Sequence, residues 1–217
     1  IGVVVMVTIL ISFVGYRAYD ELLNMGSQAK YNELGDKIRP VINRYASVKQ
    51  SGEGLRQRIY TMMQAPPEAR SREALNQMLA DLIQSNSNLV GVGVVFEPNA
   101  FDGNDAAHTT DPISDETGRM ISYVSREGSG VEFEPSTDYE SSAWYTEPKR
   151  TSKLTLTNPY YEEIGGEKTL VVSLAVPLIV DGHFVGAISL DFDMEQIQKD
   201  FEKASTPDNI YLMIDNA

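Results

Sequence analysis

Residues 138–192, DYESSAWYTEPKRTSKLTLTNPYYEEIGGEKTLVVSLAVPLIVDGHFVGAISLDF, decide how the chain is read. They hold Trp144, the only tryptophan, with Tyr139, Tyr145, Tyr160, Tyr161 and several carboxylates, spread over strand-like runs joined by turn signals. No obvious nucleophile stands among them. Aromatic faces beside acidic groups, without reactive chemistry, suit a pocket that holds a small molecule rather than one that transforms it. The same aromatics also suit a plain sheet core, and the stretch alone does not choose.

Working outward, LTLTNPYYEE, EKTLVVSLAVPLIV and HFVGAISLDF are separated by Gly165-Gly166 and Asp181-Gly182, pairs that tolerate the positive φ of tight hairpins. These runs predict an antiparallel meander. DMEQIQKDFEKAS at 193–205 predicts a short amphipathic helix with Met194, Ile197 and Phe201 on one side, and NIYLMID at 209–215 a further strand. Upstream, LVGVGVVFEP from Leu89 and GRMISYVSR at 118–126 read as strands. The intervening residues 99–118 are too long for a passive connection, and read as a pocket lid or a surface excursion. Helices followed by an antiparallel sheet give an α+β class.

Residues 18–64 carry apolar positions at helical spacing: Leu34, Ile38, Val41, Ile42, Tyr45, Val48, Leu55, Ile59, Met62 and Met63. A long helix serving as stalk and dimer seam is expected, with two or three packed helices as the alternative. Pro40 should kink it, and Gly52 and Gly54 weaken it. Ser71 caps a second helix bearing Leu75, Met78, Leu79 and Leu82. Residues 1–16, IGVVVMVTILISFVGY, are uncharged and apolar. They fall short of the roughly 20 residues that cross a bilayer. Beginning without an initiating methionine, they read as the end of a longer membrane helix; a signal peptide or a buried helix are the alternatives.

A net charge of −13 from 31 acidic and 18 basic residues disfavours nucleic acid as a partner. Without cysteine there is neither disulfide nor thiolate metal site. His108 and His183 have no nucleophile to serve, and no GxSxG, Walker loop, HExxH or GxGxxG occurs, so no enzyme and no cofactor is expected. Asp102, Gly103, Asn104 and Asp105 resemble part of a calcium loop but lack its alternating acids and distal glutamate, so no metal is expected. Tyr160 and Glu162 share one strand face by period two, with Tyr161 opposite. Asp191 closes a strand, where a carboxylate either caps the next helix or contacts a ligand.

VGVVFEPNAFDGND, GRMISYVSR, AWYTEPK, NPYYEE and SLAVPLIVDGHFVGAISLDF, in that order over residues 89–192, resemble the extracellular double-Cache (PAS-like) sensor domain of bacterial methyl-accepting chemotaxis proteins. The resemblance implies the end of a first transmembrane helix at 1–16 and a stalk or dimerisation helix at 17–64. A membrane-distal ligand-binding module would follow at 65–205, then the start of a membrane-proximal module at 206–217. It further implies a homodimer anchored in the inner membrane with its sensor in the periplasm. Family members that bind amino acids place a tyrosine, an arginine and a Trp-Tyr pair before a Tyr-x-Asp and a final aspartate. By resemblance the site residues are Tyr139, Trp144, Tyr145, Tyr160, Glu162 and Asp191. The arginine is absent: Ser142 stands two positions before Trp144. Serine cannot make the bidentate contact to carboxylate that a guanidinium makes. The half that remains suits an amine or quaternary ammonium at least as well as an amino acid. The same module could front a histidine kinase or a diguanylate cyclase, and a ligand-free surface module is the remaining alternative.

Overall fold

The computed structural model describes residues 28–204. Helix α1 (Gln28–Met63) is continuous through Pro40. Helix α2 (Arg72–Ser85) starts at Ser71, whose hydroxyl accepts from the Ala74 amide at 3.0 Å. Strands β1 (Gly91–Phe96), β2 (Ile121–Glu127) and β3 (Gly130–Pro135) lead into helix α3 (Ala143–Thr151). Then come β4 (Thr155–Leu156), β5 (Tyr160–Ile164), β6 (Glu167–Val180), β7 (His183–Asp193) and helix α4 (Met194–Ala204). All pairings are antiparallel, in a seven-stranded sheet ordered β3-β2-β1-β7-β6-β4, with β5 also on β6. The expected α+β class and meander are found. Positive φ at Gly165 and Gly166 (56° and 75°) and at Asp181 and Gly182 (51° and 78°) turns its two hairpins.

The central strands are buried on both faces, so their sequences lack polar alternation and alternate in size instead. Val92, Val94, Leu174, Val176, Ile188 and Leu190 face α1, α2 and α4 in the main core, against Val48, Leu55, Ile59, Leu75, Leu79 and Ile83. The opposite face carries Gly91, Gly93, Ser173, Ala175, Ala187, Ser189 and Asp191. Small residues there leave room for α3 and the segment before it, whose Tyr139, Trp144 and Tyr145 pack on Val95, Ile121, Ala175 and Ala187.

Helix α1 is not free-standing over its C-terminal half. Val48, Leu55 and Ile59 are buried under the sheet, so over this half the apolar stripe expected to form a dimer seam is covered by the chain itself. Gly52, expected to weaken the helix, is where it meets the sheet most closely: a Cβ there would lie 2.7 Å from Leu190 Cδ1. Strand β3 was not expected. Its GVEFEP is half exposed and acidic, as edge strands are. The segments at 1–16 and 206–217 lie outside the described residues. Among those described, no helix is long and apolar enough to cross a membrane.

The long connection before β2 is pinned to the start of α2. Arg72 donates to both oxygens of Asp102 (2.7 and 3.0 Å), to Asp105 at 2.6 Å and to the Gly118 carbonyl at 2.6 Å. The Asp102–Asp105 cluster therefore serves a guanidinium. Replacing Arg72 by Met would leave two carboxylates buried without their counter-charge. We expect a loss of about 3–5 kcal/mol in urea denaturation.

Candidate ligand-binding cavity

Asp191 lies in the middle of the small-residue face, paired in register with Gly91 on β1 and Ser173 on β6. It does not cap the following helix: Asp193 does so, accepting from the Glu195 amide at 2.7 Å. Asp191 is 1% exposed. Its Oδ2 accepts from Tyr123 Oη at 2.8 Å, whereas Oδ1 is buried without a partner within hydrogen-bond distance among the described residues, the neighbouring Ser173 hydroxyl being shared with Tyr160. Tyr123 reaches it because β1 has no side chains in the way. A Cβ on Gly91 would collide with the Tyr123 hydroxyl, and one on Gly93 would lie 2.6 Å from Ser189 Oγ.

Over this floor stands a cavity of about 130 Å³. That is far more than the 10–15 Å³ or so that one water needs. Tyr139, Trp144, Tyr160, Glu162 and Asp191 all line it, joined by Tyr123, Ser189, Glu134, Asp138 and Ser142. Tyr160 and Glu162 arrive from β5 on one face, with Tyr161 pointing away and 61% exposed. Tyr160 Oη shares a 2.6 Å hydrogen bond with Ser173 Oγ. Ser142, at the position of the missing arginine, donates to the Asp138 carbonyl at 2.7 Å at the start of α3. Among the described residues, four carboxylates border the cavity and no lysine, arginine or histidine does.

Tyr145, expected beside Trp144 among the ligand contacts, stands apart from the others. It does not line the cavity; its hydroxyl donates to Glu97 and accepts from Arg119 behind the wall. Its ring meets Tyr139 edge-on at 5.3 Å and Trp144 at 5.9 Å. Arg119, Tyr123, Glu134, Asp138 and Ser189 were not foreseen. The period-two face of SYVSR offered Tyr123, but nothing in the sequence shows that glycines across the sheet clear its path.

Burial pushes the Asp191 carboxyl up to about 6, although the Ser173 and Tyr123 hydroxyls pull it back. Burial, then the charges of Asp191 and Glu134, push Glu162 up to about 7. Glu134 is raised as well, by burial and by Glu132 and Glu163. Behind the wall the sign reverses. Burial again opposes the charged form of Glu97, but hydrogen bonds from Lys149 and Tyr145 hold it below the ordinary range.

A sheet with helices on one face and a ligand-sized aromatic and acidic cavity on the other is the plan of a PAS-like, Cache-type sensor module. Residues 75–199 match the family of methyl-accepting chemotaxis protein-like, first PDC sensor domains, and the chain belongs to that family. The methyl-accepting chemotaxis protein TlpQ of Pseudomonas aeruginosa is 31% identical over 142 residues, 58% of this chain. The match covers 20% of TlpQ, so the chain spans about a fifth of that relative. Among solved structures, the extracellular domain of mmHK1S-Z2, described as a histidine kinase, is 29% identical with a TM-score of 0.56, over 71% of this chain and 62% of that one. The sensory domain of the Campylobacter jejuni chemoreceptor Tlp3, solved with isoleucine bound, shares the fold at 15% identity, with a TM-score of 0.57 over 85% and 66% of the two chains.

Asp191 and Glu162 bind their protons more tightly folded than unfolded. Stability is therefore full below about pH 4 and falls as pH climbs through about 6–7. Glu97, Asp102 and Asp115, held low, lose their contribution only on acidification below the ordinary carboxylate range. The melting temperature of the ligand-free protein should thus fall between pH 5 and 7.5. Asp191→Asn should flatten that slope and stabilise the protein at pH 7.5 by about 2–4 kcal/mol. Differential scanning calorimetry across pH measures both.

Proposed function

We propose that this chain is the extracytoplasmic ligand-binding module of a chemoreceptor, not an enzyme, and that it senses a small organic cation. Among such cations the reading favours an amine or quaternary ammonium over a free amino acid. The observation that carries this is the unpartnered Asp191 Oδ1 inside a cavity bordered by four carboxylates and no base. A protonated amine supplies both the hydrogen-bond donor that this oxygen lacks and a charge opposite to the wall's, whereas a quaternary ammonium supplies the charge alone. Trp144, Tyr139 and Tyr160 offer aromatic faces to the same charge. A ligand carboxylate would find neutral donors, hydroxyls and the Trp144 indole, but no guanidinium or ammonium, beside four like charges.

Signalling would pass through β7. Asp191 forms the cavity floor on one face, and Leu190, the preceding residue, rests against Gly52 of α1 on the other. A ligand drawn to Asp191 acts on the strand that α1 rides on, and α1 would carry the shift towards an inner-membrane anchor in a homodimer whose sensor faces the periplasm. The likeness to a kinase extracellular domain supports a second reading of the output, in which the same module fronts a histidine kinase.

Calorimetry of the domain with propylamine, tetramethylammonium, alanine and propionate tests the ligand class. The amines should bind best, and at a hundredfold excess over Kd add about 2.7 kcal/mol of stability. Binding of propionate alone, or binding indifferent to Asp191→Ala, would refute the reading. Acidification below about pH 6 should weaken amine binding by up to roughly tenfold per pH unit for each carboxylate that takes up a proton. Ser142→Arg should cost amines about tenfold or more and favour alanine, since it sets a guanidinium in the cavity wall.

A further inference from the structure

Arg119 precedes β2 and is 6% exposed, one layer behind the cavity wall and not lining it. Its Nε donates to the Phe96 carbonyl. One terminal nitrogen donates to Tyr139 Oη at 3.0 Å, and the other to Tyr145 Oη and to Glu97 at 3.3 Å. The guanidinium also lies over the Tyr139 ring, 4.7 Å from its centre. Each phenol then passes the polarity on: Tyr139 donates to Asp115 at 3.4 Å, and Tyr145 to Glu97.

These two phenols belong to the elements that form the wall. Tyr139 lines the cavity itself, and Tyr145 adjoins Trp144, which does. The segment they sit on has few other polar ties to the sheet. The backbone hydrogen bonds of residues 137–152 close within the segment, from Ser141 to Asp138, Ser142 to Tyr139, Tyr145 and Thr146 to Ser142, and Ser152 to Pro148. Ser136, bonded to the Ile121 carbonyl at 2.7 Å, is the last residue before it held to a strand by its backbone. The wall is therefore fastened by side chains. Arg119 is the one group that holds both phenols, while Tyr139 on Asp115, Tyr145 on Glu97 and Lys149 on Glu97 at 2.8 Å add single ties.

We propose that Arg119 is a positioning residue: it sets the Tyr139 and Trp144 wall of the cavity through two phenol hydroxyls, without touching the ligand. A guanidinium fits this task because its donors diverge in one rigid plane, so a single side chain orients two phenols and a carbonyl together. A lysine ammonium at the same position cannot span them. Only the binding arm of the test rests on the proposed ligand class; the geometric arm does not.

Trp144, the only tryptophan of the chain, reports on the wall directly. In the ligand-free protein Arg119→Met should shift its fluorescence to longer wavelength and make it roughly twofold more accessible to acrylamide, with Arg119→Lys failing to restore the wild-type values. Val48→Ala, a core truncation on the far side of the sheet, should lower the melting temperature without moving either signal. The double change Tyr139→Phe with Tyr145→Phe should reproduce the exposure of Trp144 and decides the matter if Arg119→Met does not fold. Propylamine binding should weaken about tenfold in Arg119→Met, as a loosened supporting shell predicts. An unchanged Trp144 signal in the folded variants, or an equal change in Val48→Ala, would overturn the proposal. If propylamine fails to bind the wild-type protein, the ligand class falls while the fluorescence comparison still decides Arg119.

Discussion

Asp191 holds a carboxylate at the centre of a sheet that is covered on both faces, and much of the cavity's architecture follows from accommodating it. An ionised group at that depth must be hydrogen-bonded or it forfeits its charge. The protein meets half of that demand with the Tyr123 hydroxyl and leaves the other oxygen buried without a partner among the described residues. Even the one bond requires β1 to give up two side chains, since Tyr123 crosses above Gly91 and Gly93 to arrive. The floor of small residues and the space above it are thus the consequence of how one carboxylate is served.

Two charge systems lie on either side of the wall that carries Tyr139 and Tyr145. Behind the rings, Arg119 and Lys149 are matched by Glu97 and Asp115, with donors and acceptors alternating through the phenols. In front of them, Glu134, Asp138, Glu162 and Asp191 face one another with no cation among the cavity walls. The chain does place an arginine close to the cavity, but its donors are consumed by the wall. This partition gives the two sets opposite titration behaviour: Glu97 is held down while Glu162 and Asp191 are pushed up.

Where local chemistry decided an element, the sequence sufficed. Ser71 announced α2, the Gly165-Gly166 and Asp181-Gly182 pairs announced the hairpins, and period two put Tyr160 and Glu162 together against Tyr161. The misses are long-range. The heptad-like stripe of α1 looks the same whether a second copy or the chain's own sheet covers it, and only the tertiary fold shows Val48, Leu55 and Ile59 beneath β6 and β7. Strand β3, poor in apolar residues, gains its place from β2 rather than from propensity. Tyr145 adjoins Trp144 in sequence, but successive residues of a helix point about 100° apart, so one faces the cavity and its neighbour Glu97. Arg119 was invisible because its role depends on Phe96, Tyr139 and Tyr145, which are distant in sequence.

The ligand-free cavity is in a costly state at neutral pH, because Asp191 and Glu162 must either hold protons beyond their usual range or repel each other unsolvated. The proposed cation would remove part of this cost at Asp191, which would tie binding both to proton release and to the stability of the sheet. The strand that bears the change is also the one that supports α1. On β7 a cavity-facing residue alternates with a helix-facing one, and at Leu190 the helix has no side chain to cushion the contact, only Gly52. Sheets are stiff along their hydrogen bonds and interiors are close-packed, so a displacement of Asp191 cannot be absorbed between the two faces. The buried carboxylate and the contact that carries the long helix are therefore neighbours on one strand.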